Sequence, residues 1–317
     1  MNPMQKNMLR SAACAAVAIG AAGAPGAARA DSFAQSILVI DNFRLLHANG
    51  TAYTAAEFPQ LAGAGNAFAS GQLNGAYSNA THAVDQASGI SPDVMHQNVG
   101  AGLAARPEND FTPSGAGTTG SFAYGDQRMA GSIITAVGGV AAPIQVQTRA
   151  DAALSAGGSA FGVGGVASST AFSFSLGAGE YMTIAFDATP FTQAYADRGA
   201  GANGSAQANL AWSVSVLDLT TGATVFSFEP EQLNAMSNVS RSDGFGGAAV
   251  YDPGRLSFAA TTGMLTAGDT YQVTFAQTSF ASAQQAQAVP EPATLAAFGT
   301  GLLALAALGR RRRSGKK

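Results

Sequence analysis

Leu210-Ala211-Trp212-Ser213-Val214-Ser215-Val216 decides the fold class. Leu210, Trp212, Val214 and Val216 fall on one side and the small residues between them on the other, the two-residue period of a strand with one apolar face. Trp212 belongs to the apolar row, which predicts core packing rather than an exposed platform. The alternation recurs in both directions along the chain. Phe172, Phe174 and Leu176 alternate with Ala171, Ser173 and Ser175, and Met182, Ile184 and Phe186 repeat the pattern. Thr221-Gly222 supplies a turn before a strand with Phe226 and Phe228, and Leu256 with Phe258, then Tyr271, Val273 and Phe275, extend the series. Ser132–Val137 and Ile144–Thr148 are shorter candidates. Strands at this spacing predict an all-β fold: an antiparallel β-sandwich, jelly-roll-like, with long Gly/Ala/Asn-rich loops.

Upstream the pattern is weaker. Ile37–Leu46 and Thr51–Ala56 read as hairpin arms around Asn49-Gly50, a pair suited to a type I′ turn because both central residues take positive φ. From Leu61 to Gly120, Gly, Ala, Asn and Ser dominate, which predicts long loops and one short helix near Pro92–Asn98. Leu176-Gly177-Ala178-Gly179-Glu180-Tyr181 is similar to Leu265-Thr266-Ala267-Gly268-Asp269-Thr270-Tyr271, and the two are expected to be equivalent hairpin corners.

The two ends carry different physics. Lys6 and Arg10 precede the apolar stretch Ser11–Ala24, and Ala28-Arg29-Ala30 provides an A-x-A cleavage site with Ala28 and Ala30 as its small residues. Residues 1–30 therefore read as a signal peptide with a signal helix, to be removed by signal peptidase. At the other end, Val289-Pro290-Glu291-Pro292 is followed by the uncharged run Ala293–Leu308 and a cluster of Arg310, Arg311, Arg312 and Arg313, then Lys316 and Lys317. The run rises about 24 Å as a helix, a marginal transmembrane span against roughly 30 Å of hydrocarbon. The arginines hold the tail on the cytoplasmic side and leave the body outside. Pro290 and Pro292 lack N–H groups and favour an open backbone suited to a processing cleft.

A Pro-Glu-Pro break, a single apolar helix and a basic stop resemble the PEP-CTERM sorting signal of Gram-negative bacteria. The resemblance covers the C-terminal tail alone, about a tenth of the chain. It implies transient anchoring in the inner membrane, cutting by an exosortase near Pro-Glu-Pro, and a final place at the cell surface or outside it. It also implies an association with exopolysaccharide. The resulting division is a signal peptide over 1–30, a secreted all-β domain over 31–288 and a sorting signal over 289–317, with its helix at 293–308 and basic tail at 310–317. Within the body, 31–128 is expected to be hairpin and loop, and 129–288 the sandwich core.

Composition narrows the chemistry of the body. The only cysteine, Cys14, lies in the signal peptide, so neither disulfides nor thiol catalysis serve the exported part. The exported part, Asp31 to Glu291, has no lysine and seven arginines against 19 acidic residues, a charge near −12 that the whole-chain value of −3 conceals. Such a surface repels nucleic acid and anionic lipid. There is no H-E-x-x-H, no G-x-S-x-G and no Walker lysine. Gly199–Gly204 matches G-x-G-x-x-G but precedes a strand, so it reads as a connecting loop.

Candidate catalytic groups remain thin. His82 and His96 with Asp85, Asp93, Glu108 and Asp110 would have to converge in a cleft to make a hydrolase, and the neighbours Glu229 and Glu231 are a second carboxylate pair. His47 completes the histidines. Trp212, Tyr181, Tyr195 and Tyr271 are the aromatics a carbohydrate-binding module would use. Ser240–Gly244 and Asp252-Pro253-Gly254 are oxygen-rich loops, for which calcium is the fitting cation, although no calcium motif is present. The expectation is a non-enzymatic surface or matrix protein without a cofactor, tied to adhesion or exopolysaccharide. The alternative is a secreted polysaccharide- or peptide-acting hydrolase or a carbohydrate-binding module.

Overall fold

The computed structural model describes residues 32–57, 62–84, 93–100, 108–115, 120–130, 144–166, 171–196, 203–241 and 247–286. The signal helix, Ser132–Val137 and the transmembrane helix lie outside the described residues. Those residues are nearly all strand: β1 Ser32–Leu46, β2 Ala62–Leu73, β3 Ala76–Val84, β4 Asp93–Gly100, β5 Phe122–Ala130, β6 Ile144–Leu154, β7 Gly158–Val166 and β8 Ala171–Ser175. The remainder are β9 Glu180–Ala196, β10 Gly204–Asp218, β11 Ala223–Phe228, β12 Met236–Arg241, β13 Gly247–Tyr251, β14 Leu256–Leu265 and β15 Thr270–Gln285. No helix among the described residues is long and apolar enough to cross a membrane.

Two antiparallel sheets face each other. The first runs β4-β5-β6-β1-β9, with β13 and β14 sharing the far side of β9 end to end. The second runs β3-β2-β7-β15-β10, with β11 and β12 sharing the far side of β10, and β8 continuing the line of β7 between β15 and β2. Packing follows this order, so β6 lies over β7 and β15, β1 over β15 and β10, and β9 over β10 and β12.

The interface between the sheets changes character along the strands. On β15 the inward residues are Tyr271, Val273 and Phe275, then Gln277 and Ser279, then Ala281 and Ala283. β10 runs in the opposite direction through Ala206 and Ala208 to Leu210, Trp212, Val214 and Val216. One end is therefore filled by large side chains, with Phe186 tilted against Trp212 at 4.5 Å and stacked on Phe258 at 5.1 Å. The other end is an alanine core. There the sheets approach backbone to backbone: a Cβ on Gly164 of β7 would stand 2.2 Å from the Asp126 carbonyl oxygen and 2.5 Å from that of Arg149. Between the two zones lies a polar belt bonded from sheet to sheet. Gln277 donates to Leu38 O at 2.9 Å, Thr148 and Ser279 share a 2.8 Å hydroxyl bond, Ser36 donates to Asn209 O and Thr192 meets Ser237.

A bulge in β1 keeps its apolar residues in phase. Between Asp41 and Arg44, two residues face one on β9, and Asn42 takes φ +55°. An asparagine tolerates that left-handed conformation better than most residues. The shift brings Phe43 and Leu45 onto the same inner face as Leu38 and Ile40. Pro190 sits in the middle of β9, opposite the break between β13 and β14, where no outer strand requires its missing N–H.

Several expectations need correcting. Asn49-Gly50 does not make a type I′ turn: Gly50 has φ +85° but Asn49 does not have positive φ, and Gly50 N donates to His47 O. This is a type I turn closed by a left-handed glycine. The second arm there is one bridge, Leu46 to Ala52, and a short 3-10 turn. The type I′ turn is Asn74-Gly75, φ +49° and +86°, joining β2 to β3 across the Leu73–Ala76 pair. Leu61–Gly120 thus holds three strands where long loops were expected, and of the stretch expected as a helix near Pro92–Asn98 the described part, Asp93 onward, is β4 paired along its length with β5. The two similar glycine corners cross from one sheet to the other and are not hairpins. They pack against each other, with Gly268 N donating to Leu176 O at 3.0 Å.

The described body begins and stops at one end. Ser32 pairs with Ala196, its Oγ lies against Gly204, and Ala286 N donates to Asn203 O at 2.7 Å, all at the narrow alanine end.

Candidate functional site

Ala28 and Ala30, Val289, Pro290, Glu291 and Pro292, and Arg310, Arg311, Arg312 and Arg313 all lie outside the described residues. Asp85 and Ser242–Gly244 do as well. Among the hydrolase candidates, His82 falls on β3, Asp93 and His96 on β4, and Glu108 and Asp110 on the segment 108–115. Only His96 and Asp110 join a common constellation, and neither His82 nor Asp93 shares a register position with it.

That constellation sits on the outer face of the first sheet. Odd-numbered β1 and β6 residues and even-numbered β5 residues point outward at this end, so the cross-strand row His96, Asp126, Arg149, Ile37 and Phe191 lies beside the row Tyr124, Asp151, Gln35 and Gln193. A strap of residues 108–115 covers both rows. Phe111 anchors it by packing on Ile37 and Phe191. Arg149 Nη1 donates to the backbone oxygens of Asp110 and Thr112, and Gln35 exchanges hydrogen bonds with Ser114 through both amide atoms. Beneath the strap, Arg149 Nε pairs with Asp151 at 3.0 Å, at 1% and 0% side-chain exposure, while Gln35 Nε2 also reaches Asp151 at 2.8 Å. Asp126 Oδ2 accepts from Tyr124 Oη and from Asn109 N. Burial pushes the Asp126 carboxyl above its ordinary value, and these donors pull back only part of the rise. The His96 ring meets Tyr124 edge to face at 4.7 Å.

Sequence reasoning missed Gln35, Asp126, Arg149 and Asp151. A signal was present: Tyr124-Gly125-Asp126 and Arg149-Ala150-Asp151 place polar groups at two-residue spacing among Ala and Gly, the pattern of a strand whose outer face is also covered. The other ionisable candidates are spread apart. Asp110 itself joins the constellation only through its backbone oxygen, its carboxylate accepting from Thr112 N, and Glu108, Glu229 and Glu231 are exposed. His47 lies between Glu57 and Glu180, 2.9 Å from each, and stacks on Tyr53. The two carboxylates outweigh the effect of burial and hold the imidazole above its usual value, and the same surroundings push the Tyr53 phenol up. Asp187 is held well below the carboxylate range by Arg255, Ser257 and Asn42.

Aromatic candidates for a sugar platform do not gather. Trp212 and Tyr271 are buried, Tyr195 packs at the edge of a cluster with Phe33 and Phe122, and Tyr181 is exposed. At the narrow end lies an open groove of about 510 Å³ lined by Ser159, Asn203, Ser205, Ser240, Gln284 and Gln285, all uncharged hydrogen-bonding side chains. Asp252 Oδ1 accepts weakly from Gly254 N at 3.3 Å in its loop, and no group of three or more His, Cys, Asp or Glu able to hold a metal occurs among the described residues.

Residues 288–313 match the PEP-CTERM protein-sorting motif. The motif marks the chain for export and for membrane-associated sorting by an exosortase to the cell surface. No curated protein and no solved structure matches the chain.

Proposed function

We propose that the chain is a non-catalytic surface or matrix component. Its signal peptide is removed by signal peptidase, its tail spans the inner membrane once with the body in the periplasm, and the body is delivered to the surface or the medium, where it supports adhesion or the exopolysaccharide layer. The supporting observation is the sorting motif joined to a body in which the buried charges Asp126, Arg149 and Asp151 hold a strap onto a sheet. Asp126, Arg149 and Asp151 face backbone and one another beneath residues 108–115. The wrapping is read as jelly-roll-like, because half of the links between described strands cross from one sheet to the other. Mass spectrometry of the protein exported by cells with and without the exosortase tests the reading. Loss of Arg310–Lys317 only when the exosortase is present is expected, and an intact tail in the mature protein overturns it.

The groove, whose described lining is uncharged, favours a second reading, a carbohydrate-binding module. Its hydroxyl and amide lining matches the neutral hydroxyls of a polysaccharide. Retention on immobilised exopolysaccharide that is lost in Ser240→Trp, which fills the groove, supports it, and unchanged retention removes it.

A further inference from the structure

Four buried polar atoms around Asp126 have no hydrogen-bond partner among the described residues: His96 Nδ1, Asn109 Oδ1, Asp126 Oδ1 and Arg149 Nη2. Asp126 is 0% and Arg149 1% exposed, so bulk solvent does not serve them. Their residues are immediate neighbours. His96 and Arg149 flank Asp126 on the adjacent strands, and Asn109 is tied to the same carboxylate through its N–H at 2.8 Å. Asn109 itself is held at φ +63°, in the turn that starts the strap.

The hydrogen-bonding character of the four atoms selects the guest. The Asn98 amide nitrogen, which only donates, lies 3.0 Å from His96 Nε2. With that ring nitrogen accepting, the ring proton sits on Nδ1. His96 Nδ1 and Arg149 Nη2 are therefore donors, and Asp126 Oδ1 and Asn109 Oδ1 acceptors. A metal ion needs lone pairs on every side and is repelled by a guanidinium; an anion needs donors on every side. A water molecule accepts two hydrogen bonds and donates two, and a buried water typically makes about three. Leaving all four atoms unserved would carry the desolvation penalty of each.

We propose that an internal water binds between β4, β5, β6 and the strap, accepting from His96 and Arg149 and donating to Asp126 and Asn109. It is a further fastening for residues 108–115, beside Phe111, the Arg149 contacts to the strap backbone, the Gln35–Ser114 bonds and Asn109 N on Asp126. A crystal structure of the exported protein tests the assignment directly, and the expected result is an ordered oxygen about 2.6–3.2 Å from at least three of the four atoms. Density at about 2.0–2.1 Å from His96 Nδ1 would mean a metal instead. Direct bonds among the four side chains with nothing between them would also overturn the proposal. In solution, the melting temperature is expected to be unchanged by EDTA, zinc or calcium, and a shift with any of them counts against water.

Discussion

Gly164→Ala adds one methyl group at a place where the two sheets approach backbone to backbone. The new Cβ would stand 2.2 Å from Asp126 O, 2.5 Å from Arg149 O and 3.1 Å from the Asp126 carbonyl carbon. All three neighbours belong to the backbone of β5 and β6, paired on both sides, so no rotamer change clears the space. Reaching an ordinary contact of about 3.4 Å requires the sheets to part by roughly 1 Å, and a gap of that size forfeits a quarter to a half of each facing dispersion contact. Overpacking costs about 1–3 kcal/mol, and a site closed by backbone belongs at the upper end. For a domain of this size, about 3 kcal/mol lowers the melting temperature by roughly 6–12 °C. Gly263→Ala is the control: the same methyl on β14, where a Cβ would meet nothing within 4 Å, and an expected change within about 0.5 kcal/mol. Urea unfolding followed through Trp212, the sole tryptophan, reads both variants. If Gly164→Ala unfolds at the same midpoint as Gly263→Ala, the close approach of the sheets is wrong.

Other perturbations probe the polar groups. Arg149→Met leaves Asp151 buried without its guanidinium and is expected to cost about 3–5 kcal/mol, whereas Arg149→Met with Asp151→Leu recovers most of that loss in the same unfolding assay. The raised value of His47 means that its pairing with Glu57 and Glu180 stabilises fully below about pH 6.5 and is lost as pH rises through the folded-state value. Melting between pH 6 and 8.5 should therefore fall more steeply in the native protein than in His47→Gln, by under about 1 kcal/mol because the groups are partly exposed. Asp126 acts with the same sign in a lower window. Its raised carboxyl favours the fold below the ordinary carboxylate value and loses that contribution as pH climbs through the folded one, a segment of the stability curve that Asp126→Asn should lack.

The strands legible in the sequence are those with large contrast between faces. Leu210–Val216 of β10, Met182–Phe186 of β9 and Tyr271–Phe275 of β15 alternate bulky apolar with small polar residues, and each lies in the broad half of the sandwich. The narrow half defeats the same reading. Ala-Gly-Ala-Gly-Asn-Ala in β2 and Gly-Val-Gly-Gly-Val in β7 alternate almost nothing, because a close backbone approach selects small residues and small residues carry little hydrophobic signal. The buried pair Arg149 and Asp151 was equally hidden: a charge on an outward position reads as solvated until a strap 35 or more residues away folds across it. Trp212 could be placed because its neighbours at two-residue spacing are all apolar.

Ser32 and Ala286 leave the described body together, so on the proposed sorting route a tail anchored in the bilayer would hold the sandwich by its thin edge. Its stout end is then the outermost part of the molecule. There Tyr181 and Met264 face each other in register, 46% and 61% exposed, with Leu219 at 45% nearby. On that route an approaching surface or neighbour would meet that greasy tip first, while the hydroxyl- and amide-lined groove would stay on the membrane side.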